Sequence, residues 1–181
     1  MAKPQPPLAL IGDIGGTNAR FALVDPAQAR PEPQHARSLP TADYASLQHA
    51  AEHYLHTLEA RPRRAAIAVA SPVAHDEIRL TNRAWSFSRR ELQQRLQLDE
   101  LKVLNDFGAV ARAVPLLRGA DRVTLHGDPD APLQGPVTVL GPGTGLGVAL
   151  LVGSDAQGWQ AVETEGGHVS FAPQGDEADE R

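Results

Sequence analysis

The 181-residue sequence has no cysteine, a single methionine and few aromatic residues, which make up 4% of the chain. Without cysteine it can form no disulfide bond and cannot use a thiol as nucleophile or metal ligand. No apolar run approaches the roughly 20 residues of a membrane-spanning helix. The net charge is −5, which disfavours general binding to nucleic acid. The first seven residues lack the apolar core of a secretion signal, so we expect a cytoplasmic protein with no membrane or nucleic-acid partner.

Apolar segments of strand and helix type alternate along the chain, and this alternation predicts an α/β fold. The polar segment 118–136 is predicted to be a connection, and segment 26–40, which carries four prolines, a loop with at most a short strand. Pro115 is expected to stop the last helix. Strands are predicted at 8–12, 19–25, 65–70, 78–81, 101–104, 137–140, 148–152 and 159–162, and helices at 44–58, 88–98 and 107–114.

The most informative motif is segment 12–20, which reads Gly-Asp-Ile-Gly-Gly-Thr-Asn-Ala-Arg between two apolar runs. Glycines allow backbone N–H groups to approach an anion closely, and a carboxylate beside them suits hydrated Mg²⁺. The alternative is a tight hairpin turn that needs glycine only for its backbone angles. A plain turn does not require Asp13, Thr17, Asn18 and Arg20 in one window, so we favour a nucleotide-phosphate site.

A second motif, Asn105-Asp106, stands where a predicted strand ends and a predicted helix begins. Ligands of α/β sheets collect at the carboxyl ends of strands. The helix dipole keeps a carboxylate ionised at this position, and an ionised Asp106 could act as general base toward a sugar hydroxyl. Taken alone, the motif is more often a simple helix N-cap.

Two later loops are rich in glycine. Segment 141–147, Gly-Pro-Gly-Thr-Gly-Leu-Gly, can form a backbone nest for an anion, although its spacing fits neither the P-loop nor the dinucleotide fingerprint. A flexible hairpin is the alternative. In segment 163–168, Glu165 and His168 could together bind vicinal hydroxyls. A metal pair and a surface turn are the alternatives, but no third metal ligand stands nearby.

Two weaker signals remain. The segment 81–85, Thr-Asn-Arg-Ala-Trp, suits sugar recognition, and packing of Trp85 into the core is an equally good interpretation. His49, His53 and His56 fall within the predicted helix 44–58, where solvent-exposed side chains are a better interpretation than a metal site.

These segments, in this order, resemble the bacterial glucokinase family of the hexokinase–actin–Hsp70 ATPase superfamily. The resemblance runs from about residue 8 to 173 and rests on segments 12–20, 80–82, 104–109, 141–149 and 164–173. It implies an α/β fold of duplicated RNase H-like (actin-like ATPase) domains, with a complete small domain at 1–117 and a partial large domain at 118–181. Family members are longer, so the chain is expected to be a truncated N-terminal portion, weak or inactive alone.

The resemblance also implies a function: transfer of the γ-phosphoryl group of ATP to the 6-hydroxyl of glucose, with Mg²⁺. Asp106 is the implied catalytic base, and Asp13 the implied Mg²⁺ ligand, through water. The implied glucose ligands are Asn105, Asp106, Glu165 and His168. The implied phosphate ligands are Gly12, Asp13, Ile14, Gly15, Gly16, Thr17, Gly143, Thr144 and Gly145. A non-catalytic sugar-binding regulator on the same scaffold and a kinase for another hexose are the alternatives, and a homodimer is left open.

Overall fold

The computed structural model describes residues 8–80, 85–142, 145–164 and 166–168. The chain folds as two compact units, which we call unit 1 (Met1–Ala109) and unit 2 (Val110–Arg181). The domain boundary expected after residue 117 stays a prediction.

The described residues of unit 1 form seven strands: β1 (Ala9–Ile14), β2 (Asn18–Val24), β3 (Gln34–Pro40), β4 (Arg64–Val69), β5 (Glu77–Arg79), β6 (Ser86–Ser88) and β7 (Glu100–Asn105). Five of them make one sheet in the order β3-β2-β1-β4-β7, and β5 and β6 pair as a separate hairpin. β1, β4 and β7 are parallel, whereas β2 and β3 are antiparallel to their neighbours. The α/β class predicted from the sequence is therefore confirmed.

Three helices are present among the described residues: α1 (Leu47–Thr57), α2 (Arg89–Arg95) and α3 (Asp106–Ala113). α1 begins later than predicted because the Ser46 hydroxyl accepts the His49 N–H at 3.2 Å and caps the helix. Ser88 caps α2 in the same way, accepting the Glu91 N–H at 3.2 Å. α2 ends before the predicted residue 98, because Gln97 adopts a φ of +55°, which no α-helix allows.

One face of the sheet carries the core of unit 1. Leu10, Ile14, Phe21 and Ile67 belong to a buried cluster that includes Tyr54 of α1. Period-2 alternation sends the intervening side chains of the strands to the other face. Packing of Phe21 on Tyr54, with ring centroids 5.4 Å apart, joins helix to sheet.

Trp85 belongs to the same core. Its side chain is only 5% exposed, and its indole N–H donates to the Tyr44 carbonyl at 3.2 Å. The packing interpretation of Trp85 is thus confirmed, and its ring is not available to stack on a sugar. Residues 81–84 of the same predicted segment lie outside the described residues.

Unit 2 contains a three-stranded antiparallel meander in the order β10-β9-β8, formed by β8 (Val137–Pro142), β9 (Leu146–Ser154) and β10 (Gly158–Glu163). The three strands predicted here are confirmed and are longer than expected. Single 3₁₀ turns occupy Val114–Leu116, Gly119–Asp121 and Gly166–His168. Pro115 lies in the first of these turns, directly after α3. Because proline has no backbone N–H, it cannot continue the hydrogen bonding of the helix.

Two strand predictions need correction. β1 continues to Ile14, so Asp13 and Ile14 belong to the strand and the turn holds only residues 15–17. Residues 34–40, predicted mainly as loop, form the full-length edge strand β3 on β2. Nearly all β3 side chains are exposed, so the segment carries no buried-face alternation that sequence reasoning could detect.

Among the described helices, none is long and apolar enough to cross a membrane.

Candidate active site

The carboxyl ends of the three parallel strands lie side by side in unit 1. Ile14 of β1 is in register with Val69 of β4, and Val69 is in register with Asn105 of β7. Residues 15–17, 70–71 and 105–106 therefore leave the sheet along one edge. Because this is the edge where α/β sheets collect ligands, the two motifs of unit 1 converge at one candidate site.

The glycine-rich turn between β1 and β2 is closed by the backbone itself. The Gly15 N–H donates to the Asn18 carbonyl at 2.9 Å. On the strand side of the motif, a Cβ on Gly12 would lie 3.4 Å from the Phe21 ring and 3.5 Å from Ile67. Gly12 thus fits a closely packed place in β1, while the turn itself is formed by residues 15–17.

Thr41 holds this turn from the end of β3. Its hydroxyl donates to the Gly16 carbonyl at 2.8 Å and lies 3.1 Å from the Thr17 carbonyl, and its N–H donates to the Thr17 carbonyl at 2.9 Å. Sequence reasoning missed Thr41, because it stands 25 positions from Gly16 and no local pattern marks it.

Asp13 and Arg20 face each other across β1 and β2 and form an ion pair, with Arg20 Nη1 2.8 Å from Asp13 Oδ2. Their side chains are 53% and 60% exposed, respectively, so the pair contributes about 1 kcal/mol at most. A single exposed carboxylate fits Mg²⁺ that retains several waters, which is how Mg²⁺ is usually held beside phosphates. In the described part of the chain, no group of three His, Asp or Glu side chains could hold a metal directly.

Asn105 and Asp106 have different structural roles. The Asn105 side-chain oxygen accepts the N–H groups of Phe107 at 3.0 Å and Gly108 at 3.2 Å, so Asn105 is the N-cap of α3. Asp106 is the first helical residue and is half-buried. Its Oδ1 accepts the Phe107 N–H at 2.8 Å, and within the described ranges Oδ2 receives no hydrogen bond. Asn105 rather than Asp106 is therefore the N-cap of α3, and Oδ2 of Asp106 is left open to a ligand in the described part of the chain.

Ser71 links this site to the β5–β6 hairpin. Ser71 is buried, and its hydroxyl donates to the Arg79 carbonyl at 2.7 Å. The backbone carbonyl of Ser71 accepts the Asn105 side-chain N–H at 3.5 Å. Arg79 stands two residues before the segment 81–85 that the sequence suggested for sugar recognition. Ser71 also went undetected in the sequence, where its only mark is the Ser-Pro pair that ends β4.

In unit 2, the structure reaches only part of the predicted loops. Gly145 is exposed directly before β9, and His168 ends the 3₁₀ turn Gly166–His168. Gly143, Thr144 and Glu165 lie outside the described residues.

The turn at 166–168 is attached to β9. The Thr164 hydroxyl donates to the Val148 carbonyl at 3.3 Å and accepts the Gly166 N–H at 3.0 Å. A Cβ on Gly167 would collide with the Leu146 carbonyl oxygen, so only glycine fits there. These contacts fix the backbone that carries His168.

Two further features stand beside this arrangement. A cavity of about 500 Å³ is lined by apolar groups such as Ile11, Ala22 and Ala36 and also by Asp13 and Arg20, which form the ion pair described above. The three histidines of α1, which are His49, His53 and His56, are exposed, as the sequence favoured. Neither feature includes the turn 15–17 or the pair Asn105 and Asp106.

The chain is similar to known glucokinases in sequence. A family model described as Glucokinase matches residues 10–180. The chain is 47% identical over 173 residues to a glucokinase of Ralstonia nicotianae, a match that covers 93% of this chain and 49% of that protein. It is 44% identical over 172 residues to a glucokinase of Yersinia pestis, covering 95% and 52%, respectively. The chain thus spans about half the length of the curated relatives it matches.

The chain is also similar to solved structures of glucokinases. A glucokinase from an Antarctic psychrotroph matches with a TM-score of 0.78 and 38% identity, over 97% of this chain and 55% of that one. A glucokinase from Balamuthia mandrillaris matches in fold with a TM-score of 0.65 at 23% identity, over 96% of this chain and 52% of that one. The mixed α/β fold is thus that of the actin-like sugar kinases. By sequence and by fold, this chain belongs to the glucokinase family.

Proposed function

We propose that this chain carries the phosphate turn, the catalytic base and part of the sugar site of an ATP-dependent glucose kinase. The observation that carries the proposal is the placement of Asp106 on the same sheet edge as turn 15–17, with Asn105 taking the helix cap. The relatives named glucokinase support glucose as the acceptor.

In this proposal, Asp106 accepts the proton of the glucose 6-hydroxyl as that oxygen attacks the γ-phosphorus of ATP. Phosphoryl transfer depends mainly on positioning and charge neutralisation. The turn that follows β1 would supply N–H donors to phosphate oxygens, and Asp13 would hold Mg²⁺ through water. When bound, Mg²⁺ neutralises phosphate charge. Asn105, Glu165 and His168 would bind glucose hydroxyls, and Gly143, Thr144 and Gly145 would bind phosphate.

The finer parts of the proposal rest on the family. We propose that units 1 and 2 belong to two related RNase H-like domains and that the protein works in the cytoplasm. Because its curated relatives are about twice as long, we expect the 181 residues alone to be weakly active or inactive. Binding of ligands therefore tests the site more directly than turnover.

The test is a titration of the ¹⁵N-labelled chain with glucose and, separately, with MgATP. We expect glucose to shift the amide signals of Asp106 and Phe107, and MgATP those of Gly16 and Thr17. Val24, at the opposite end of β2, is the control signal and should not move. If neither ligand shifts its own group, the proposal is wrong.

A second measurement separates the kinase from its alternatives. Transfer of ³²P from labelled ATP is followed at stoichiometric chain concentration with glucose, with mannose and without sugar. Glucose-dependent transfer supports the proposal, and stronger transfer to mannose favours a kinase for another hexose. Glucose binding with no transfer, even in a longer protein that contains this chain, would favour the sugar-binding regulator.

A further inference from the structure

Thr41 is almost completely buried, with 1% of its surface exposed, although its side chain is polar. Burying a hydroxyl is unfavourable unless it finds hydrogen-bond partners. The Thr41 hydroxyl donates to the Gly16 carbonyl at 2.8 Å and lies 3.1 Å from the Thr17 carbonyl, and the Thr41 N–H donates to the Thr17 carbonyl at 2.9 Å. Three contacts from one residue thus meet at two successive peptide groups of the turn.

These contacts fix the direction of a peptide N–H. In a planar trans peptide the C=O and N–H groups point in opposite directions. Since Thr41 binds the Gly16 carbonyl, the N–H in the same peptide group, which belongs to Thr17, is directed away from Thr41. The hydrogen bond from Gly15 N–H to Asn18 O, at 2.9 Å, closes the turn around it.

Thr41 is itself held firmly. It follows Pro40, the last residue of β3, whose pairing with Asn18 brings the end of β3 beside the turn. It also begins the 3₁₀ turn Thr41–Asp43, where its carbonyl accepts the Tyr44 N–H at 3.4 Å. Because Thr41 is held on both sides, it can fix the position of the turn relative to the sheet.

We infer that Thr41 is a positioning residue, which holds the turn in the shape that presents the Thr17 N–H to a phosphate oxygen. The inference rests on the proposed function, because it takes the ligand of the turn to be a nucleotide phosphate. Thr41 touches no reacting atom in this arrangement. It acts through the backbone of Gly16 and Thr17.

The first test measures the turn without any ligand. Thr41→Val keeps the shape of the side chain and removes the hydroxyl, whereas Thr41→Ser keeps the hydroxyl. We expect amide hydrogen exchange of Gly15 to be about tenfold faster in Thr41→Val and nearly unchanged in Thr41→Ser. The Ile67 amide, in the centre of the sheet, is the internal control for global unfolding. Equal Gly15 exchange in wild type and Thr41→Val would overturn the inference.

The second test adds the ligand. MgATP is titrated into the three proteins, with the Gly16 and Thr17 amide signals as the readout. We expect an apparent Kd about five- to tenfold weaker for Thr41→Val, within twofold of wild type for Thr41→Ser, and an unchanged Kd for glucose in both. Equal MgATP affinity in wild type and Thr41→Val would overturn the inference. Absence of these shifts in the wild-type chain would instead contradict the proposed function, and the exchange test still decides whether Thr41 holds the turn.

Discussion

The side-chain oxygen of Asn105 lies 3.2 Å from the backbone nitrogen of Gly108, whose N–H it accepts. This bond satisfies an N–H group that would otherwise have no partner in the first turn of α3. Asp106, the next residue, is therefore not the N-cap that its position in the sequence suggests. Asn105 thus caps the helix, and the neighbouring Asp106 is left available for chemistry.

The first prediction concerns Asp106. Asp106→Asn keeps the size of the side chain and removes its basicity, so we expect glucose-dependent phosphoryl transfer to fall by about 10²- to 10⁴-fold. Glucose affinity should change little, because an amide can still hydrogen-bond a hydroxyl. Single-turnover transfer from labelled ATP, in a longer protein that contains this chain, measures the first quantity, and calorimetry measures the second.

The control for this prediction is Asp130→Asn, an exposed carboxyl in the polar connection of unit 2. It should leave both quantities unchanged. Transfer by Asp106→Asn at close to the wild-type rate would exclude Asp106 as the base.

A second prediction concerns the cap of α3. Asn105→Ala should lower the free energy of unfolding of unit 1 by about 1 kcal/mol, whereas Asn105→Ser, which retains a capping oxygen, should lose only a few tenths. The chain has two tryptophans, so in a Trp159→Phe background the fluorescence of buried Trp85 reports on unit 1 during urea unfolding. Equal losses in the two variants would mean that the cap does not stabilise α3.

A third prediction concerns the acid stability of unit 1. The Ser88 hydroxyl donates to Asp76 Oδ2 at 2.7 Å and the Arg90 N–H to Oδ1 at 3.2 Å. The Ser88 bond first, and the Arg90 bond second, lower the pKa of Asp76 below its ordinary value of 3.8. Since the folded state favours the ionised form, this stabilisation is complete above the ordinary pKa and is lost as the pH falls below it.

Asp76→Asn should therefore lower the urea midpoint at pH 6 and flatten the decline of that midpoint as the pH falls below 3.8, the ordinary pKa of the carboxyl. The Trp85 signal in the same Trp159→Phe background is the readout. Asp43→Asn, an exposed carboxyl elsewhere in unit 1, is the control and should retain the wild-type slope. An unchanged slope in Asp76→Asn would contradict this account.

A fourth prediction compares two glycines that flank the same strand pair in unit 2. Gly167→Ala makes a Cβ collide with the Leu146 carbonyl oxygen, whereas a Cβ on Gly145 meets nothing within 4 Å. We expect Gly167→Ala to destabilise the folded chain by about 2 kcal/mol or to displace the turn that carries His168. Gly145→Ala should leave the melting temperature and the Val148 amide signal close to wild type. Similar effects of both substitutions would be inconsistent with this packing.

Local features of the chain could be predicted because their signals lie within a few residues. Near neighbours carry three of these signals: the continuous apolar run of β4, the cap Ser88 with Glu91 three residues later, and the strand-to-helix step at Asn105. Their geometry follows from backbone periodicity and hydrogen bonding. The order of the phosphate and base motifs along the chain was also enough to suggest the family, which the comparisons confirmed.

Other features were decided only by the tertiary structure. β3 has no buried face, so its strand character comes from the open edge of β2 rather than from its own pattern. Trp85 is a core residue because the Tyr44 carbonyl and the surrounding apolar groups enclose it. The sequence by itself thus determined which residues are candidates for the chemistry, because the motifs that contain them are local. Two features depend on contacts between distant segments, which form only when the sheet assembles. One is the parallel register of Ile14, Val69 and Asn105, and the other is the hydrogen bonding of Thr41 to a turn 25 residues away.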